Sequence, residues 1–167
     1  MLSSKFIRLV ESHAEEIAES TLRQLAEDPR TPHLARRPWC EQIAECAEII
    51  RDLGQWLVHG GDENVAERFE PVGARCAAQG IPASELVYAL HVLKAKMLDL
   101  IRNQGLAQSS VDLYAEEELE HHAGRLFDSI VYHVVNGYES AAVAEAAAAA
   151  AGDRSGAPGP GGPGQSR

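Results

Sequence analysis

Apolar residues return at every third or fourth position through most of the first 142 residues, and no stretch gives a convincing apolar–polar alternation. That period belongs to helices with one buried face and argues against a sheet. Phe6, Val10, Ala14, Ile17, Thr21 and Leu25 trace the first such face, with Glu11, Glu15, Glu16 and Glu19 largely opposite. Asp28-Pro29 ends it, because the residue before a proline is pushed out of the helical region. Trp39, Ile43, Cys46, Ile50, Leu53 and Leu57 form a second face that stops at Gly60-Gly61. Asp62 is predicted to cap a third helix bearing Val65, Phe69, Val72 and Cys76, which Pro71 should kink or split. The fourth starts near Pro82 and carries Leu86, Leu90, Leu93, Met97 and Leu100 as far as Gln104-Gly105. The fifth opens at Ser109 or Ser110 and, if unbroken to the alanine tract, has ~40 residues and spans ~60 Å. Such a rod either breaks near Gly137 or projects beyond the body. The expected class is all-α: a bundle of about five helices with the last two long.

Charge and composition exclude several activities. In 167 residues, 15 Lys and Arg face 25 Asp and Glu, for a net charge of −10. Binding phosphates needs a clustered positive field, so neither nucleic acid nor an anionic membrane is an expected partner. No apolar run approaches the ~20 residues of a membrane span, and the N-terminus has no secretory apolar block. Cys40, Cys46 and Cys76 form no CxxC and leave an odd cysteine over, so a reducing cytoplasm is the expected location. Near Ala141 the composition shifts. Residues 143–151 are almost pure alanine, able to extend a helix but offering little apolar surface to anchor it. Residues 152–167 are rich in Gly and Pro and are expected to form a disordered tail, which leaves 1–142 as the domain.

Two passages carry a family resemblance: GARCAAQGIPASELVYALHVLKAKMLDLI from Gly73 to Ile101, and RLFDSIVYHVVNGYESA from Arg125 to Ala141. With Trp56 and the helix start near Phe6, they resemble the N-terminal sensor domain of stressosome RsbT co-antagonist proteins (the RsbR/RsbRD type) over about residues 2–142. The QGIP turn before an apolar helix and the FD…Y…GYE run matter most. The resemblance implies a globin-like helical bundle that usually binds no haem and dimerises through its last two helices. It also implies a non-enzymatic role in stress signalling, with no catalytic residues to carry over. Its expected partners are a second copy, a separate regulatory protein and a small-molecule ligand. In this family the signal passes to an output module, whereas here an alanine extension stands where a linker helix would be.

Apolar residues cover more than half the circumference of both long C-terminal helices, enough to pack one face internally and another against a partner subunit. The candidate dimer interface is Leu86, Leu90, Leu93, Met97, Leu126, Ile130, Val134 and Tyr138, with the alternative that half of these fill the chain's own core. A haem- or other cofactor-binding sensor of gas or redox state is the rival reading. A globin iron needs a proximal ligand, and the segment Asp62 to Gln79 has no histidine. His59 and Cys76 are the weak cofactor candidates, the first read as a solvated helix end and the second as a packed core thiol. No cofactor and no metal are expected. Glu118 and His121 make one Glu-x-x-His where a di-iron bundle needs two. His33, Cys40 and Cys46 lack the tight four-ligand spacing of a zinc site. No nucleophile elbow or phosphate-cradling glycine loop is present.

Overall fold

The computed structural model describes residues 4–59, 61–103 and 109–154, and every regular element among them is helical. In chain order these are α1 (Ser4–Ser12), α2 (Ala14–Glu27), a 3-10 turn (Leu34–Arg36), α3 (Trp39–Arg51), α4 (Leu53–His59), α5 (Asp62–Ala78), α6 (Ala83–Asn103) and α7 (Ser110–Arg154). The all-α class is therefore right, while the count of about five helices is corrected to seven among the described residues.

Two of the predicted helices are each divided. At His13 the break has a local cause: the Ser12 hydroxyl donates to the Leu9 carbonyl at 2.9 Å, and His13 Nδ1 sits 2.8 Å from the same oxygen. These side chains compete for the acceptor that the next helical N–H would use, and the His13 amide turns instead to Val10 at 3.1 Å. The second break falls at Asp52, just before α4. There Glu11 Oε1 reaches across from α1 to accept the Gly54 amide at 2.8 Å, placing a carboxylate at the new helix's start.

Elsewhere, predicted breaks do not occur. Pro71 does not split α5, which runs unbroken through it. It lies on the exposed side, as does Glu67, so the carbonyl left without its helical donor faces water. Gly137 does not break α7 either, and the helix runs 45 residues, about 67 Å at the usual rise. Ser109 caps its start as expected, its hydroxyl accepting the Asp112 amide at 3.1 Å. The predicted tail is divided differently: 152–154 belong to α7, and 155–167 lie outside the described residues.

Between α5 and α6 the QGIP turn closes on Gly80, whose φ of 68° is a left-handed conformation suited to glycine. The Ile81 amide returns to the Cys76 carbonyl at 3.0 Å and the Gly80 amide to Ala77 at 2.9 Å, satisfying carbonyls at the end of α5. That reversal sends α6 back through the core. Phe6 and Val10 of α1, Ile50, Leu53, Phe69, Met97, Ile101, Phe127 and Ile130 are all buried there. Each such side chain contributes roughly 1.5–3 kcal/mol by leaving water. Most of α7 as far as Tyr138 shares this core, while residues 142–151 are exposed throughout.

Candidate functional site

The closest packing in the molecule joins α5 to α7. A Cβ added to Gly73 would collide with the Val134 carbonyl, and one added to Gly137 would collide with the Glu70 carbonyl. Two glycines, one per helix, thus let the backbones touch. Asp62 lies beside Ser129, and Glu70 beside Asn136, so the helices run parallel.

A polar clasp closes this seam. His133 of α7 is 5% exposed. Its Nε2 lies 3.0 Å from Asp62 Oδ1 and its Nδ1 3.1 Å from Glu70 Oε1, both on α5. Ser129 Oγ donates to the same Asp62 oxygen at 3.0 Å, and Asn136 Nδ2 to the same Glu70 oxygen at 2.9 Å. A neutral imidazole has one donor, whereas an ionised carboxylate only accepts. Two carboxylates facing two ring nitrogens therefore call for the imidazolium. Burial pulls the His133 pKa down, but hydrogen bonds to Asp62 and Glu70 outweigh it and hold the pKa above its ordinary value. Both carboxyls are held below theirs: Asp62 by the bonds from His133 and Ser129, Glu70 by those from Asn136 and His133. The Tyr132 ring packs edge-on against His133, with centroids 5.0 Å apart.

On the other side of α5 lies a cavity of about 100 Å³ among α2, α3, α5, α6 and α7. Its lining is mainly apolar, including Leu22, Leu25, Ile49, Phe69, Leu86 and Leu90, with Cys46 and Cys76 among it. Arg37, Arg68, Arg75 and Glu45 also contribute to the wall. Burial pushes the Cys46 thiol up to about 12 and raises that of Cys76, so both behave as unreactive core thiols.

The predicted site residues sort differently from expectation. Met97 and Ile130 are fully buried, and Leu86, Leu93, Leu126 and Val134 are buried too. Leu90 and Tyr138 are half-buried and pack against the same core. In the single chain these six buried side chains pack into its own core. His59 is exposed at the end of α4, beside Trp56 and Asn64 in a shallow depression. Cys76 lines the cavity, which His59 does not reach. No histidine lines that cavity, and its volume is far below the ~300–1,000 Å³ of sites for drug-sized ligands. The arrangement does not favour haem. Among the described residues no group of three or more His, Cys, Asp or Glu is placed to hold a metal ion.

Sequence reasoning missed the clasp. Asp62 was expected as an N-cap, but Gly61 holds that position and the Asp62 carboxylate turns to α7 instead. The available signal was the Ser129, His133, Asn136 row, spaced four and three on one helix face. A second missed device is buried Glu85. Its Oε2 accepts the His33 and Leu34 amides at 3.0 Å each, and its Oε1 lies 2.6 Å from His33 Nδ1. That carboxylate fixes the 3-10 turn to α6, which occupies His33 structurally.

These features define an all-helical domain with a tight interhelical seam, an apolar cavity and a long terminal helix. The family described as RsbT co-antagonist protein rsbRD N-terminal domain matches over residues 11–154. The chain belongs to that family, which makes it a regulatory domain of stress signalling. No curated protein and no solved structure matches it. Among the described residues no helix is long and apolar enough to cross a membrane.

Proposed function

We propose that this chain is a non-enzymatic sensor domain that acts as a homodimer and passes a signal through α7 to a regulatory protein partner. The observation that carries the reading is the continuity of α7. One unbroken helix is locked against α5 at Gly137 and His133, then runs on as an exposed rod through residues 142–151. Packed helix interfaces switch between discrete arrangements and do not deform smoothly, so a small shift at the seam becomes a larger displacement at the rod's end. The globin-like reading of the bundle belongs with this proposal, supported by the family and by the apolar cavity among its helices.

The exposed outer face of α7 supports the homodimer reading as the surface for a second copy. Tyr114, Tyr132 and Val143 are 74%, 64% and 70% exposed. Their separations of 18 and 11 residues align them in one stripe at the helical period. Arg125, Asp128 and Glu139 lie along the same stripe, giving both signs of charge for a self-complementary contact. Sedimentation of the full chain at micromolar concentration tests this. The expected result is a dimer for the wild type and a folded monomer for Tyr132→Glu. A wild-type monomer would remove the dimer mechanism.

A further inference from the structure

We infer that the cavity between α5 and α6 is a binding site for a short aliphatic carboxylate, its alkyl part among the leucines and its charged end at the arginines of the wall. The inference deepens the regulatory reading and rests on it for what occupancy does, whereas binding itself is tested separately.

The interior sets the first half of the ligand. About 100 Å³ of space faces a mainly apolar wall. Among the described residues, no buried side-chain nitrogen or oxygen is left without a hydrogen-bond partner. A water placed inside needs two to four polar partners, and an apolar cavity of ~150 Å³ stays dry and takes benzene. A slightly smaller one suits a short alkyl chain of roughly four to eight carbons, partly emerging at the wall's charged side.

The charged residues set the second half. Arg37 donates to both Glu45 oxygens, at 3.0 and 3.1 Å, and Arg75 approaches the same carboxylate at 3.6 Å. Arg68 pairs with Glu48 at 2.5 Å. Arg37, Arg68 and Arg75 thus meet Glu45 and Glu48, with Glu41 also near Arg37, in a chain whose overall charge is −10. Beyond about 8–10 Å the distant carboxylates are screened at ordinary salt, so the geometry of the guanidiniums at the wall, and not the net charge of the chain, decides what is held there. Glu45 already shows the geometry an incoming carboxylate would share: a planar acceptor between Arg37 and Arg75.

Calorimetric titration of the full chain with hexanoate, hexan-1-ol and acetate at pH 7 tests the inference. Hexanoate is expected to bind at least about tenfold more tightly than either comparison ligand, which share only its tail or only its charge. Arg75→Gln, at a half-exposed position, should weaken hexanoate toward hexan-1-ol and leave hexan-1-ol unchanged. Ala89→Phe, which fills the cavity, should abolish binding of both while the far-ultraviolet circular dichroism stays helical. Equal affinity for hexanoate and acetate, or for hexanoate and hexan-1-ol, would overturn it, as would undiminished binding to both variants. If hexanoate binds as expected but hydrogen exchange at residues 129–141 does not change, the site stands and the coupling to α7 fails.

Discussion

The two halves of α7 have the same backbone and opposite surroundings. From Leu119 to Tyr138 the helix alternates core residues with seam residues, and His133, Val134 and Gly137 are buried. From 142 to 151 it exposes every residue. The docked half is held by burial and by the clasp, while the projecting half is exposed and rich in alanine, the strongest helix former. In the function proposed above, a signal that reached the first half would move the second without unfolding it.

Changes at the glycine contact should break this contrast most severely. Replacing Gly73 and Gly137 together by alanine drives two side chains into opposing carbonyls. A loss of about 2–3 kcal/mol from each, near 5 kcal/mol in all, is expected in urea unfolding. Ile130→Ala, in the docked half and fully buried, should cost about 2–4 kcal/mol through lost burial and the cavity left behind. Should either variant unfold like the wild type, the docked half is not what holds α7.

His133→Gln gives a smaller effect whose sign depends on pH. The His133 pKa is raised in the fold, so its stabilisation is fully present below the ordinary value of 6.5 and is lost as pH rises through the folded value. Asp62 and Glu70 are lowered, so theirs is present above the ordinary 3.8 and 4.5 and fades as pH falls through the depressed values. The wild type should therefore exceed His133→Gln most between roughly pH 5 and 6.5, with the two melting curves converging at alkaline pH. A pH-independent difference would mean the imidazolium is not the form that closes the seam. Smallest of all, Ala146→Gly in the projecting half should reduce local helicity by about 1 kcal/mol and leave the unfolding midpoint unchanged. A fall in that midpoint would show that residues 142–151 are docked in solution.

Much of the bundle was legible in the sequence because its helices carry their buried faces at helical spacing. The faces read from Phe6, Val10 and Ile17, and from Val65, Phe69 and Cys76, are the ones the core uses. Breaks were less legible, since they turn on single competing groups: Ser12 and His13 at the Leu9 carbonyl end α1, whereas Pro71, facing water, ends nothing. The seam was hidden for another reason. Gly73, Gly137, His133 and Glu70 acquire their roles only when helix segments 63 to 71 residues apart in sequence at the clasp lie in parallel register, which periodicity within one helix cannot encode. The same limit explains the interface residues. An apolar residue on a helix reads alike whether its partner lies in its own chain or in another, and for Met97 and Ile130 the partner is their own chain.

The central claim is that the clasped seam sets where the projecting end of α7 points. Electron–electron distances between spin labels at Glu63 on α5 and Ala148 on α7, attached by a chemistry that spares cysteine and diluted with unlabelled chain, measure that direction. The account predicts one narrow distance for the wild type at pH 6, and a shifted or broadened distribution both at pH 9 and in His133→Gln. Superimposable distributions across all three samples would contradict it.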